Sequence, residues 1–146
     1  MTISKHLELS ELIRSESAKR LGVNNMPTAE HIENLKILAE KVFEPIREHF
    51  KVPIRISSGY RSKLLNKAVG GSNTSQHSLG QAIDIDMDGT GIKNSDIFAF
   101  IKSNLDFDQL INEFDYSWVH VSYSKKNRKE ILLASKLNGK TVYKKA

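Results

Sequence analysis

The chain has no cysteine among its 146 residues, which excludes disulfides and every thiolate metal site. Any metal it holds must be bound by His, Asp or Glu. No apolar run approaches the roughly 18 residues that span a bilayer. The N-terminus, MTISKHLELSELIRSES, has no apolar signal-like stretch. The expectation is a chain made in the cytoplasm without a signal peptide and without a membrane partner. Proline is scarce, at three residues, and neither a low-complexity linker nor an internal repeat interrupts the sequence. What is present is the composition of one ordinary globular domain, 39% hydrophobic and 27% charged. At this length it can bury a real core, and a monomeric single domain over 1–146 is expected.

The net charge of +5 is unevenly spread. Residues 125–146 carry eight Lys or Arg against one acid, while the remainder carries 14 basic and 16 acidic residues. Such a basic C-terminus serves solubility or attraction to an anionic polymer, either cell wall or nucleic acid. Tyr143 is the only aromatic residue in the segment, so it offers little for stacking on bases. No nucleic-acid partner is expected.

Periodicity organises the rest. Residues 8–20 read as a helix capped near Ser10. Thr28 opens a long one, in which Ile32, Leu35, Leu38, Val42, Phe43, Ile46 and Phe50 form one face and Pro45 imposes a kink. His31 and His49 read as bystanders on that helix. VPIRIS and GQAIDIDM read as strands, SGYRSKLLNKAV as a turn into a short helix, and 94–104 as a helix capped by Asn94 or Ser95. FDQLINEF and SWVHVSY form a hairpin, and EILLAS and KTVYKK another around Asn138-Gly139. Helices first and clustered strands later predict an α+β fold, an antiparallel sheet with helices on one side.

The chemistry lies on the strands. In GQAIDIDM, Ile83, Ile85 and Met87 share the core face, so Asp84 and Asp86 share the other. His77 lies just upstream in a glycine-flanked loop. In SWVHVSY, Trp118, His120 and Ser122 face away from the valines. With a two- or four-residue loop at Asp115-Tyr116, Ile111 opposes His120 and Glu113 opposes Trp118, which puts Gln109 and Glu113 on His120's face. A three-residue loop would reverse this. Two histidines and a carboxylate, with a second carboxylate nearby, suit a catalytic zinc site: three ligands, an open position and an acid–base group. Asp86 reads as an outer partner or an exposed acid. Asp88-Gly89-Thr90-Gly91 lacks the further acids of a calcium loop.

Three stretches, SSGYRS (57–62), SQHSLGQAIDID (75–86) and WVHVS (118–122), resemble the zinc D-alanyl-D-alanine peptidase family, most closely its small phage and bacterial peptidoglycan-cutting members. The middle stretch fits S-x-H-x-x-G-x-A-x-D from Ser75 to Asp84. The likeness spans about 8–124, including ELIRSESA and Asn66 with Val69-Gly70-Gly71, and makes 125–146 a basic C-terminal hairpin or tail. It implies a fold shared with the hedgehog signalling domain and one Zn2+ held by His77, Asp84 and His120. It further implies Arg61 as a catalytic and substrate-binding guanidinium and Ser75 as a substrate contact; Gln109, as a hydrogen-bond partner of a ligand or substrate, and Trp118, as a wall of the cleft, are further substrate-binding candidates. Many relatives carry their base three residues before the second histidine, where this chain has Ser117. Glu113 is therefore the expected base, with Asp115 the alternative. The implied substrate is a peptidoglycan stem peptide, cut as a D-Ala-D-Ala carboxypeptidase or an L-Ala-D-Glu-type endopeptidase would cut it. A phage or prophage endolysin, with its basic end drawn to anionic wall polymers, is the implied role. A non-catalytic metal-containing wall-binding module of the same fold is the alternative.

Overall fold

Alternating apolar residues build the sheet, and three-four spacing builds the helices that cover it. The computed structural model describes residues 1–146. A small hairpin, β1 (Thr2–Ser4) and β2 (Leu7–Glu8), precedes α1 (Leu9–Ile13) and α2 (Glu16–Leu21). The single helix expected over 8–20 is thus two. The backbone turns extended at Arg14 and Ser15, and Ser15 starts a new helix by accepting from the Ala18 amide at 3.0 Å. Glu8 and Glu11, not Ser10, close the start of α1 as a reciprocal capping box.

Pro45 acts differently from a simple kink. A π-helical turn, Ala39–Phe43, separates α3 (Ala29–Leu38) from α4 (Glu44–Phe50), and the Glu44 amide donates to the Ala39 carbonyl five residues back. Proline has no N–H, and its ring would strike the carbonyl four residues earlier. One wider turn before it relieves that clash while keeping a single buried face.

The main sheet follows the order β3 (Ile56–Ser58), β4 (Ala82–Ile85), β6 (Trp118–Ser122), β5 (Gln109–Glu113), β7 (Glu130–Leu137), β8 (Lys140–Lys145). Helix α5 (Lys63–Ala68) and a 3₁₀ turn (Gln76–Leu79) lie between β3 and β4, and α6 (Asn94–Asn104) precedes β5. Only the end of VPIRIS pairs as a strand. Lys93, not Asn94 or Ser95, occupies the N-cap position of α6, with no side-chain capping bond; the Asn94 side chain accepts from the Met87 amide (2.8 Å) and donates to Asp86 (3.1 Å) and the Tyr116 carbonyl (3.0 Å). It ties the end of β4 to the β5–β6 turn.

The α+β architecture holds, but the sheet is mixed rather than wholly antiparallel: β5 and β7 pair in parallel. The cause is positional. β4 already occupies the far edge of β6, so the chain leaving β6 crosses the start of β5 and docks on its free edge. Two reversals return it to β5's direction. Asp108 fixes that crossover. Its buried carboxylate accepts two hydrogen bonds from the Arg128 guanidinium, at 2.8 and 3.0 Å, one from the Arg128 amide and one from Gln76. Arg128's hydrogen bonds, against some cost of burial, hold the Asp108 pKa below its ordinary value. Stability from this pair is therefore present above that ordinary value and lost as pH falls through the depressed one. The contribution is small, because solvent screens the half-exposed Arg128.

One core fills the space between helices and sheet: Leu35, Leu38, Val42, Phe43 and Ile46 from the long helical segment, Ile97 and Ile101 from α6, and Ile83, Ile85, Leu110, Val119 and Val121 from the strands. Each fully buried large side chain contributes roughly 1.5–3 kcal/mol. The strands' opposite face carries Asp84, Glu113 and His120 beside Ile111, Leu132 and Ala134. No helix is long and apolar enough to cross a membrane.

Candidate active site

Side-chain alternation and register build the site. Ile83 and Ile85 are fully buried in the core, which turns Asp84 to the opposite face. Across the sheet Ser58, Asp84, His120, Ile111 and Leu132 stand in one directly opposed row. The β5–β6 register is the one the sequence implied: Ile111 opposes His120 and Glu113 opposes Trp118, across a four-residue turn. His77 enters from the 3₁₀ turn. Ser75 caps that turn by accepting from the His77 amide (3.2 Å), and Gly80, at φ +74°, ends it.

The three expected ligands converge. A ligand atom from each of His77, Asp84 and His120 lies within 4.8 Å of the other two. Asp84 Oδ1 is 3.3 Å from His77 Nε2 and 3.0 Å from His120 Nδ1, and the two rings meet edge to face at 5.1 Å. His77 Nδ1 lies 2.7 Å from the Gly59 carbonyl, to which it must donate. In the neutral imidazole the buried Nε2 is then a lone pair without a hydrogen-bond partner, facing a carboxylate oxygen. Two acceptors opposed in this way call for a cation between them. Two imidazole nitrogens and one carboxylate form a donor set that suits a divalent transition metal.

Burial opposes the charge on Asp84, but the two flanking histidines outweigh it, and its pKa falls far below the ordinary carboxylate value. The carboxylate is therefore ionised. Glu113 behaves oppositely. Burial raises its pKa, reinforced by the charge on Asp84 and only partly countered by His120 and Arg61. The two acids are set apart by environment, one held as an anion and one whose charged form burial disfavours.

Gly59 matters through its backbone. A Cβ there would lie 2.5 Å from the Leu12 carbonyl oxygen, so any side chain must displace the segment whose carbonyl orients His77. Gly59→Ala is expected to weaken metal affinity roughly 10–100-fold, read by competition with a chromophoric chelator. Unchanged affinity would remove the Gly59 carbonyl from the design of the site.

These groups line a cleft of about 630 Å³. Arg61, Ser75, Gln109, Glu113 and Trp118 all reach it along with His77, Asp84 and His120. Arg61 contributes a buried Nε with no hydrogen-bond partner. Gln109 is already engaged, donating to Glu130 at 2.6 Å. Asp115 is exposed in the 114–117 turn and is not among the cleft's lining residues. Asp86 accepts from the Asp88 amide and from Asn94 and does not join the His77–Asp84–His120 group. Sequence reasoning missed Gln76, Arg128, Leu132, Thr141 and Tyr143, which also line the cleft. The Asn138-Gly139 turn fixed the pairing of the last two strands, but nothing local announced that they would dock beside β5.

The Peptidase M15 family profile matches residues 5–122, a span that holds the three motifs, the converging triad and Glu113. No curated protein matches the chain. By the extent of the profile match, the chain belongs to the Peptidase M15 family.

Proposed function

We propose that the protein is a zinc-dependent peptidase that hydrolyses a peptide bond in peptidoglycan stem peptides. The observation that carries this reading is the convergence of His77, Asp84 and His120 beside a buried, pKa-raised Glu113 in one cleft. Zinc bound by these three residues would lower the pKa of a coordinated water and polarise the scissile carbonyl. Glu113 takes the proton from the attacking water and delivers it to the leaving amine as the C–N bond breaks. Arg61, whose guanidinium is fixed in charge, binds the substrate carboxylate or the oxygen on which negative charge develops. Ser75 and Trp118 flank the bound peptide.

Zinc analysis of the purified protein, combined with mass spectrometry of digested muropeptides, tests the reading. One zinc per chain and a chelator-sensitive cut within the stem are expected, and the fragment masses identify the bond. Cleavage that survives removal of the metal, or no cleavage of any stem peptide, overturns it.

The role that fits is an endolysin-like one, in which a phage or prophage enzyme acts on the cell wall. Of the cations at 125–129, Arg128 is bound to Asp108 and Lys129 lies 3.3 Å from Asp106, which leaves Lys125 and Lys126 for anionic wall polymers. Lys125→Gln with Lys126→Gln is expected to weaken sedimentation with purified walls several-fold at low salt, with the difference shrinking as salt rises. Equal sedimentation at low salt removes the wall-polymer contact.

A further inference from the structure

The cleft has a wall that the three motifs do not supply. β7 and β8 lie beyond the matched residues 5–122, yet their register carries them onto the Asp84 face of the sheet. Trp118, Glu113, Ala134 and Tyr143 stand directly opposed in one row across β6, β5, β7 and β8. Opposed residues share a face, so only the methyl group of Ala134 separates Glu113 from Tyr143 along that row. Two strand spacings amount to roughly 10 Å, a gap that a tyrosine leaning over an alanine can largely close. Tyr143 and Thr141 line the same cleft as the His77–Asp84–His120 triad.

Tyr143 is nevertheless 55% exposed and stands outside the hydrophobic core. It is a large aromatic side chain held at the mouth of a polar cleft. Partial burial, then the charges of Glu113 and Asp84, raise the pKa of its phenol. The hydroxyl keeps its proton and remains a donor. Lys136 adds positive charge at the same rim, bonded to Thr141 and 5.6 Å from the centre of the Phe114 ring.

We propose that Tyr143 is a substrate-contacting residue, and that the C-terminal hairpin helps decide which peptide the cleft accepts. Its ring offers an apolar face to the methyl groups and amide planes of an extended peptide, and its hydroxyl donates to a carbonyl or carboxylate. With Lys136 beside it, the surface favours an acidic peptide. The inference rests on the peptidase reading, deepening it from bond chemistry to substrate selection.

Tyr143→Ala and Tyr143→Phe test it, with Lys144→Ala as a control, since Lys144 opposes Leu133 on the other face of the hairpin. KM is measured on the zinc-loaded 146-residue chain, and stem-peptide Kd on the same variants carrying Glu113→Gln. Tyr143→Ala is expected to raise KM and Kd roughly five- to tenfold, with a smaller change in kcat and with zinc content and Tm as in the unsubstituted chain. Tyr143→Phe separates the hydroxyl from the ring. Unchanged KM and Kd, or loss of zinc or Tm in Tyr143→Ala, overturns the inference. An unsubstituted chain that binds stem peptide without cutting it overturns the peptidase reading alone; one that does neither overturns both.

Discussion

Glu113→Gln is expected to keep the metal and to lower kcat on a stem peptide about 10²–10⁴-fold. The amide matches the carboxylate in size, so the cleft keeps its shape and loses only the group that exchanges a proton. Asp115→Asn is the internal comparison, and its exposed position away from the cleft leaves turnover near that of the unsubstituted chain. Zinc content and steady-state rates measured together separate a lost base from a lost metal. Full activity in Glu113→Gln takes the proton-transfer role away from Glu113.

The same substitution carries a stability signature of opposite sign. The folded-state pKa of Glu113 lies above its ordinary value of 4.5, chiefly because the group is buried. An acid shifted upward favours folding while protonated, and that contribution disappears as pH rises through the folded pKa. Metal-free Glu113→Gln should therefore melt at a higher temperature than the unsubstituted chain at neutral pH, with the gap closing below the ordinary glutamate pKa.

Asp84→Ala is expected to abolish stoichiometric zinc binding and reduce cleavage to background. That loss exceeds the roughly 10–100-fold attached to an outer partner such as the Gly59 carbonyl, because one of three ligands disappears. The fold itself should survive, since Ile83 and Ile85 on either side remain buried and the β4–β6 ladder is made by backbone groups. In the metal-free protein the depressed pKa of Asp84 means its contribution to stability is present above the ordinary value of 3.8 and fades as pH falls. A variant that is folded by circular dichroism yet without zinc gives the expected picture. One that retains both metal and turnover overturns the ligand assignment.

The legible parts of this molecule were those set by short-range periodicity. Alternation placed Asp84 opposite the core, and a four-residue turn put Glu113 and Ile111 at the positions the hairpin register gives them beside His120. The site's central row followed from those two facts together with the pairing of β4 to β6. Other features depend on contacts remote in sequence. Asn94 looked like a helix cap, but its side chain is drawn to the end of β4 and the β5–β6 turn. Pro45 marked an irregular point, while the π-turn that absorbs it depends on keeping Val42, Phe43 and Ile46 on one buried face. The parallel docking of β7 could not be read from its own residues, because it follows from which edge of the hairpin β4 has already taken.

That docking leaves β8 as the outermost strand of the sheet. An uncovered edge presents unpaired amides and carbonyls, an invitation for a strand from another molecule to add itself. Lys140, Lys144 and Lys145 are exposed along it, and a second copy approaching edge to edge would bring like charges together. The basic residues at the end of the chain thus have a use that needs no wall, nucleic acid or other partner: they discourage the sheet from growing.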